Sequence, residues 1–270
     1  MKRSYYLNIL IISLLTLLTL SCSQKTPTQN NVSINAPQIP PGATLSIDFS
    51  MFNNSGTLAK ATHTLSKNNY LAAAIRATMM KSSLAMDANL PVIALESLRT
   101  QQPELDQNGK YHWKCQCLYE SQPYHFELVG REEKDQIAWE MYYSTDTAKN
   151  EQGPKALLFE GRSELAGNKG SWLVREKTEF AESGNPIKLD WTMFENGDRI
   201  LAISNPTFNQ KLIYSVLDNK VKIQFSNYPD DYNVEIEWNK TNGSGYLIVP
   251  GYNENQKAYW DENQDDLMLS

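Results

Sequence analysis

The chain has 270 residues, a formal charge of −6, 41% hydrophobic residues and 10% aromatic ones. Six Trp and fourteen Tyr need a packed core to bury them, which excludes a disordered chain. An acidic chain without a basic stripe is also excluded from charge-driven binding of nucleic acid.

Lys2 and Arg3 open the chain, and an apolar run from Leu7 to Leu20 stops at Ser21-Cys22. That run of about 14 residues is short of the ~20 that span a bilayer and suits the apolar region of an export signal. The small residue before a cysteine resembles the lipobox of bacterial lipoproteins, with Thr19 where leucine is commoner. The resemblance implies that residues 1–21 are removed as a signal peptide. It also implies that Cys22 is acylated, with diacylglycerol on its thiol and a further chain on its new amino group. The lipid membrane is then the first partner, since several acyl chains at ~0.8 kcal/mol per buried methylene hold firmly. An ordinary cleavable signal is the alternative. Ser23 stands where an aspartate would retain a lipoprotein at the inner membrane, which points to the outer membrane of a cell envelope. Losing residues 1–21 removes Lys2 and Arg3 and no acid, so the charge moves from −6 to −8.

Residues 22–46 follow as acylated cysteine and flexible tether, rich in Gln, Asn, Thr and Pro, with Pro27, Pro37, Pro40 and Pro41 interrupting any ladder. An ordered arm is the alternative from Leu45 onward. Residues 47–270 read as one β-rich domain with helices near 70–101. Tyr70 to Met86 has helical character, with Ala72, Ala73 and Ala74 as strong formers and Leu71, Ile75 and Met79 on one face. Asn68 or Asn69 is placed to cap it. Pro91 suits the first turn of a second helix with Val92, Leu95 and Leu98 as its stripe.

From Tyr111 the hydrophobic period becomes two, and the runs fit together as antiparallel hairpins. A tight turn at Ser121-Gln122 sets Trp113 opposite Gly130, Cys115 opposite Leu128 and Cys117 opposite Phe126. Leu128, Phe126 and Tyr124 then oppose Trp139, Met141 and Tyr143, while Gly161 faces both Trp139 and Trp172. Asn196-Gly197 is a type I′ signal that pairs Met193 with Ile200 and Trp191 with Ala202. Asp218-Asn219 aligns Leu212, Tyr214 and Val216 with Phe225, Ile223 and Val221, and a last hairpin joins Val234–Trp238 to Tyr246–Val249. About eleven strands after two helices predict an α+β fold, mainly β: a curled antiparallel meander, barrel or half-barrel, packed on the helices.

This layout resembles the half-barrel of the carrier and receptor in bacterial lipoprotein sorting, in architecture and not in motif. The segments AAAIRATMM, LPVIALESL, YHWKCQC, WEMYYS, FEGRS and GSW resemble a group of lipoproteins from Bacteroidetes-type bacteria. That resemblance implies structural roles for Trp113, Trp139, Met141, Gly161 and Trp172 and carries over no catalytic residue.

The candidates for chemistry each have a plainer reading. Cys115 and Cys117 sit side by side on a strand among Phe126 and Leu128, as small buried hydrophobes, with redox use or a partner chain as the sharper view. Of His63, His112 and His125, the last two lie roughly 20 Å apart in that hairpin and cannot share a metal; both fall on the face away from the aromatics, as solvated strand histidines. Asp261, Asn263 and Asp265 echo a calcium loop, but Asp266 stands where that loop needs Gly, so a solvated acidic tail is expected. No nucleophile elbow, zinc motif or phosphate loop occurs. The expectation is therefore a membrane-anchored envelope lipoprotein without catalytic residues, metal or cofactor. Its concave aromatic face, lined by Trp113, Phe126, Trp139, Met141, Trp172 and Trp191, would bind an apolar or amphipathic ligand. The alternative is a structural lipoprotein with a filled core that docks an envelope protein partner. Neither reading involves nucleic acid.

Overall fold

The computed structural model describes residues 36–52, 66–83, 89–119, 121–145, 156–175 and 185–267. The signal segment, Cys22, His63 and the expected extension of the first helix to Met86 lie outside these residues. Two helices, α1 (Asn68–Ser83) and α2 (Asn89–Leu98), precede a run of strands. The strands are β1 (Glu104–Leu105), β2 (Lys110–Tyr119), β3 (Gln122–Glu133), β4 (Gln136–Thr145), β5 (Ala156–Glu164), β6 (Lys169–Val174) and β7 (Ile187–Met193). They continue as β8 (Arg199–Asn205), β9 (Gln210–Leu217), β10 (Lys220–Asn227), β11 (Tyr232–Asn239), β12 (Gly245–Ile248), β13 (Ala258–Trp260) and β14 (Asp266–Leu267).

Among the described residues these form one open antiparallel sheet of fourteen strands in chain order. The eleven expected runs are β2–β12. The three additional strands, two or three residues each, are too short to carry a period. Two of them, β1 and β14, are the sheet's edges, and an edge of two residues offers little for another chain to pair with. The sheet is thus open rather than closed. The α+β arrangement itself, a curled meander packed on two helices, is as the pattern implies.

Each Trp on the inner face meets a glycine on a neighbouring strand. Gly161 pairs with Trp139 on one side and Trp172 on the other; Gly245 does the same for Trp238 and Trp260. A strand glycine with close neighbours marks such an approach.

Three registers differ from the sequence reading. Trp113 pairs with Leu128 and Cys115 with Phe126, two residues from the expected partners. The reason is Pro123: it has no N–H and cannot close a two-residue hairpin, so Tyr119–Gln122 closes it and Ser121 takes φ 65°. The next hairpin also shifts by two, because the strands run on to a Glu133–Gln136 closing pair. An even shift keeps every side chain on its face. The third shift is odd: Trp191 pairs with Leu201 and Thr192 with Ile200. Here the Phe194 N–H donates to Asp198 and Gly197 sits at φ 87°, giving a three-residue loop with a left-handed last residue instead of a type I′ turn. Leu201 therefore takes the core position expected for Ala202. The Asp218-Asn219 turn has φ 49° and 66° and sets the expected pairs.

The inner face is covered. α1 lies against β12–β14, α2 against β2, and the turn Gly42–Leu45 contacts α2 and β7. The helix face that enters the core is Tyr70, Ala73, Ala74, Ala77 and Met80, whereas Ile75 and Met79 are 53% and 64% exposed. This corrects the expected Leu71–Ile75–Met79 stripe: the alanines allow α1 to approach the aromatic sheet closely, where larger residues would not fit. The tether boundary at 46 is likewise too late, because Ile39, Thr44 and Leu45 are buried. Thr44 is fixed by its hydroxyl, which donates to the Pro41 carbonyl at 2.7 Å and accepts from Trp172 Nε1 at 3.0 Å.

The N-terminus of α1 is capped from the far end of the chain. Asp266 accepts the Asn68 N–H at 3.1 Å and the Asn69 N–H at 2.8 Å, and its own N–H donates to Ser66. Asn69 instead clamps the sheet, donating to the Tyr259 carbonyl and accepting from the Tyr252 hydroxyl. So the WDENQDD segment is structural rather than a solvated tail: Asp261 accepts the N–H of Asn263 and Asp265, and Lys67 lies 3.7 Å from Asp265. Asp266→Ala should lower stability by about 1–2 kcal/mol, the range for losing a charged helix cap. Urea unfolding checks this; a loss within ~0.3 kcal/mol would show that the cap carries no weight.

Candidate functional site

The six expected ligand-face residues are brought together on the inner face and packed there. Trp113 is 3% exposed and Trp172 0%, with Phe126, Trp139, Met141 and Trp191 between those values. Trp172 stacks on Trp191 and meets Phe159 edge-on, each at 4.8 Å between centroids. Trp139 Nε1 donates to Ser163 at 2.9 Å, while Trp191 Nε1 is buried without a hydrogen-bond partner. Over these strands α2 packs on β2, and the turn Gly42–Leu45 packs on β7 and bonds Trp172 through Thr44.

Both cysteines stand on that same face, Cys115 opposite Phe126 and Cys117 in the core, whereas His112 and His125 take the alternate positions. The Cys115 and Cys117 sulfurs lie 3.7 Å apart, beyond disulfide bonding distance, and the Cys117 thiol donates to Ser97 Oγ. His112 is not simply solvated: Nδ1 lies 3.0 Å from Glu127 and Nε2 3.4 Å from Asp106, bracing the β1–β2 turn. Among the described residues no cluster of His, Cys, Asp and Glu could hold a metal ion, and no helix is long and apolar enough to cross a membrane.

The outer face carries the charge. On it Glu235 accepts from Tyr246, Lys222 and Gln224. Burial alone would raise the Glu235 carboxyl, but these hydrogen bonds outweigh it and hold it below the ordinary range. Burial and the same carboxylate push the Tyr246 hydroxyl upward.

One open space does meet the inner face. Where α1 crosses the end of β9–β11, a cleft of about 200 Å³ is lined by Arg76, Met79, Met80, Gln210, Phe225, Asn227 and Tyr232. None of the six expected residues lines it. Its floor is built by register. Asn227 pairs with Gln210 on one side and Tyr232 on the other, so the three stand on one rung with Asn205 beyond Gln210. The rung beneath is apolar, Ile203–Leu212–Phe225–Val234. Arg76, Met79 and Met80 reach it from one helix face by their i, i+3, i+4 spacing.

Sequence reasoning passed over this site, although its signal was present. In the β9–β10 register the inward position after Phe225 is Asn227, opposite Gln210, and both are polar where the pattern elsewhere is apolar. Nothing in the sequence placed Arg76 over them.

Compared with known proteins, the chain matches no family model, no curated sequence and no solved structure.

Proposed function

We propose that this protein is a membrane-tethered, non-catalytic envelope lipoprotein whose β domain binds an amphipathic ligand at the corner between α1 and β9–β11. The observation that carries the reading is the cleft itself, with a mainly apolar lining and a few polar side chains, the usual composition of a small-molecule site. Exposed apolar side chains stand on the elements that form it: Ile75 and Met79 on α1, Phe208 before Gln210 and Tyr228 after Asn227, each 53–67% exposed. Such a rim suits an entry point for a molecule with an apolar part. Acylation of Cys22 would hold the domain at a bilayer, the source of such molecules. Native mass spectrometry of the full-length protein from its own membrane tests the reading. A bound amphiphile is expected; if none co-purifies and no apolar fluorescent probe binds, the reading fails.

A second reading, a docking protein with a filled core, is favoured by the sealing of all six aromatic-face residues. It requires a specific protein partner that is still captured after the acyl anchor is removed.

A further inference from the structure

Three residues that line the corner cleft each carry a buried polar atom without a hydrogen-bond partner: Arg76 Nε, Gln210 Oε1 and Asn227 Oδ1. Half of the six such atoms among the described residues belong to residues that line this one space. Buried polar groups are satisfied in the great majority of cases, and each unpaired one carries a desolvation penalty. Their concentration in residues around one cleft has a simple physical reading: a bound molecule, admitted by a small turn of these side chains, supplies the missing partners.

Their chemistry specifies that molecule. Arg76 Nε–H is a donor on a permanent cation, and no carboxylate pairs with Arg76 among the described residues, so it calls for an anionic oxygen. Gln210 Oε1 and Asn227 Oδ1 are acceptors and call for N–H or O–H. The Asn227 amide orientation is set independently, because its Nδ2 donates to Asp230 at 2.8 Å. Gln210 and Asn227 are direct cross-strand partners, which places their side chains about 5 Å apart at Cβ, within reach of one small head group. Met79, Met80, Phe225 and the Tyr232 ring supply the apolar wall. A volume of about 200 Å³ exceeds the ~150 Å³ of an engineered apolar cavity that takes up benzene. That is room for a head group and the first part of a chain, with the remainder leaving over Met79 and Ile75.

We propose that this cleft selects a small amphiphile whose head places an anionic oxygen next to an N–H or O–H donor. Arg76 takes the anionic oxygen, Gln210 and Asn227 take the donor, and the chain lies on Met80 and Phe225. The inference rests on the amphipathic-ligand reading above and adds the head group.

The test uses the full-length chain in phosphatidylcholine nanodiscs, titrated calorimetrically against empty-nanodisc blanks. The probes are N-octanoylglycine (carboxylate, N–H and chain), octanoate (no N–H) and N-acetylglycine (no chain). N-octanoylglycine is expected to bind about tenfold more tightly than octanoate and N-acetylglycine not at all; one neutral hydrogen bond, at the upper end of its usual worth, gives about such a factor. Arg76→Gln, on a partly exposed helix position, should weaken N-octanoylglycine at least about tenfold while leaving the melting temperature unchanged. Gln210→Met should weaken it too and raise the melting temperature, because an unpaired buried acceptor is removed; a merely structural glutamine would give the opposite shift. Equal binding of N-octanoylglycine and octanoate, or indifference to Arg76→Gln, overturns the head-group assignment and leaves the amphipathic-ligand reading standing. If neither chain-bearing probe binds and no amphiphile co-purifies, both fall.

Discussion

Trp172→Ala should cost about 3–5 kcal/mol in equilibrium unfolding, the range for removing a buried Trp or Phe. The side chain has no exposed surface, stacks on Trp191 and meets Phe159. Its Nε1 also ties the sheet to the N-terminal segment through Thr44. Deletion therefore opens a cavity in the middle of the sheet and releases the turn at Gly42–Leu45, which packs on both α2 and β7. Against a total stability of 5–15 kcal/mol for a typical domain, such a loss unfolds a sizeable fraction of the protein at modest urea. Leu118→Ala, at a side chain 67% exposed, is the control and should stay within about 0.5 kcal/mol. A Trp172→Ala loss below about 1 kcal/mol would mean that the aromatic face is not packed as described.

Gly161→Ala should destabilise by about 1–3 kcal/mol, opposite in sign to what such a substitution does where space and backbone allow it. A Cβ at Gly161 would lie 2.2 Å from the Ser171 carbonyl and 2.3 Å from the Trp172 ring. Neither can yield easily, since one is ladder backbone and the other is fixed between Phe159 and Trp191. The cost is therefore steric rather than conformational. Denaturant midpoints for the wild type and the variant decide it: an unchanged or higher midpoint would show that the strand can shift to admit a methyl group.

Both predictions concern residues that the sequence singled out, and this indicates what a sequence can carry. Period-two alternation marked the inner face from Trp113 to Val249 because one buried face requires it. Gly161 between Trp139 and Trp172 was legible for the same reason, since a ring that leans over its neighbour needs an empty position there. Register was less secure, being set by turn closure. Pro123 and the three-residue loop before Asp198 moved pairings by two and one residues, and only the second exchanged a core residue, Leu201 for Ala202.

The helical face was misread because hydrophobicity favoured Ile75 and Met79, while the fold needed the small side of α1. An alanine face is attractive only to a surface already crowded with rings, and that surface comes from strands far along the chain. The same applies to the cap on α1, which is supplied by Asp266 and not by the local asparagines.

By itself, then, the sequence determined an antiparallel meander with one aromatic face and two covering helices, because period, turn residues and glycine spacing are local properties. The tertiary structure alone decided what fills that face and where it stays open. Those outcomes depend on side chains from α1, β9, β10 and β11 meeting across more than a hundred residues. Arg76 gains its position over Gln210 and Asn227 only when the helix is laid across the end of the sheet.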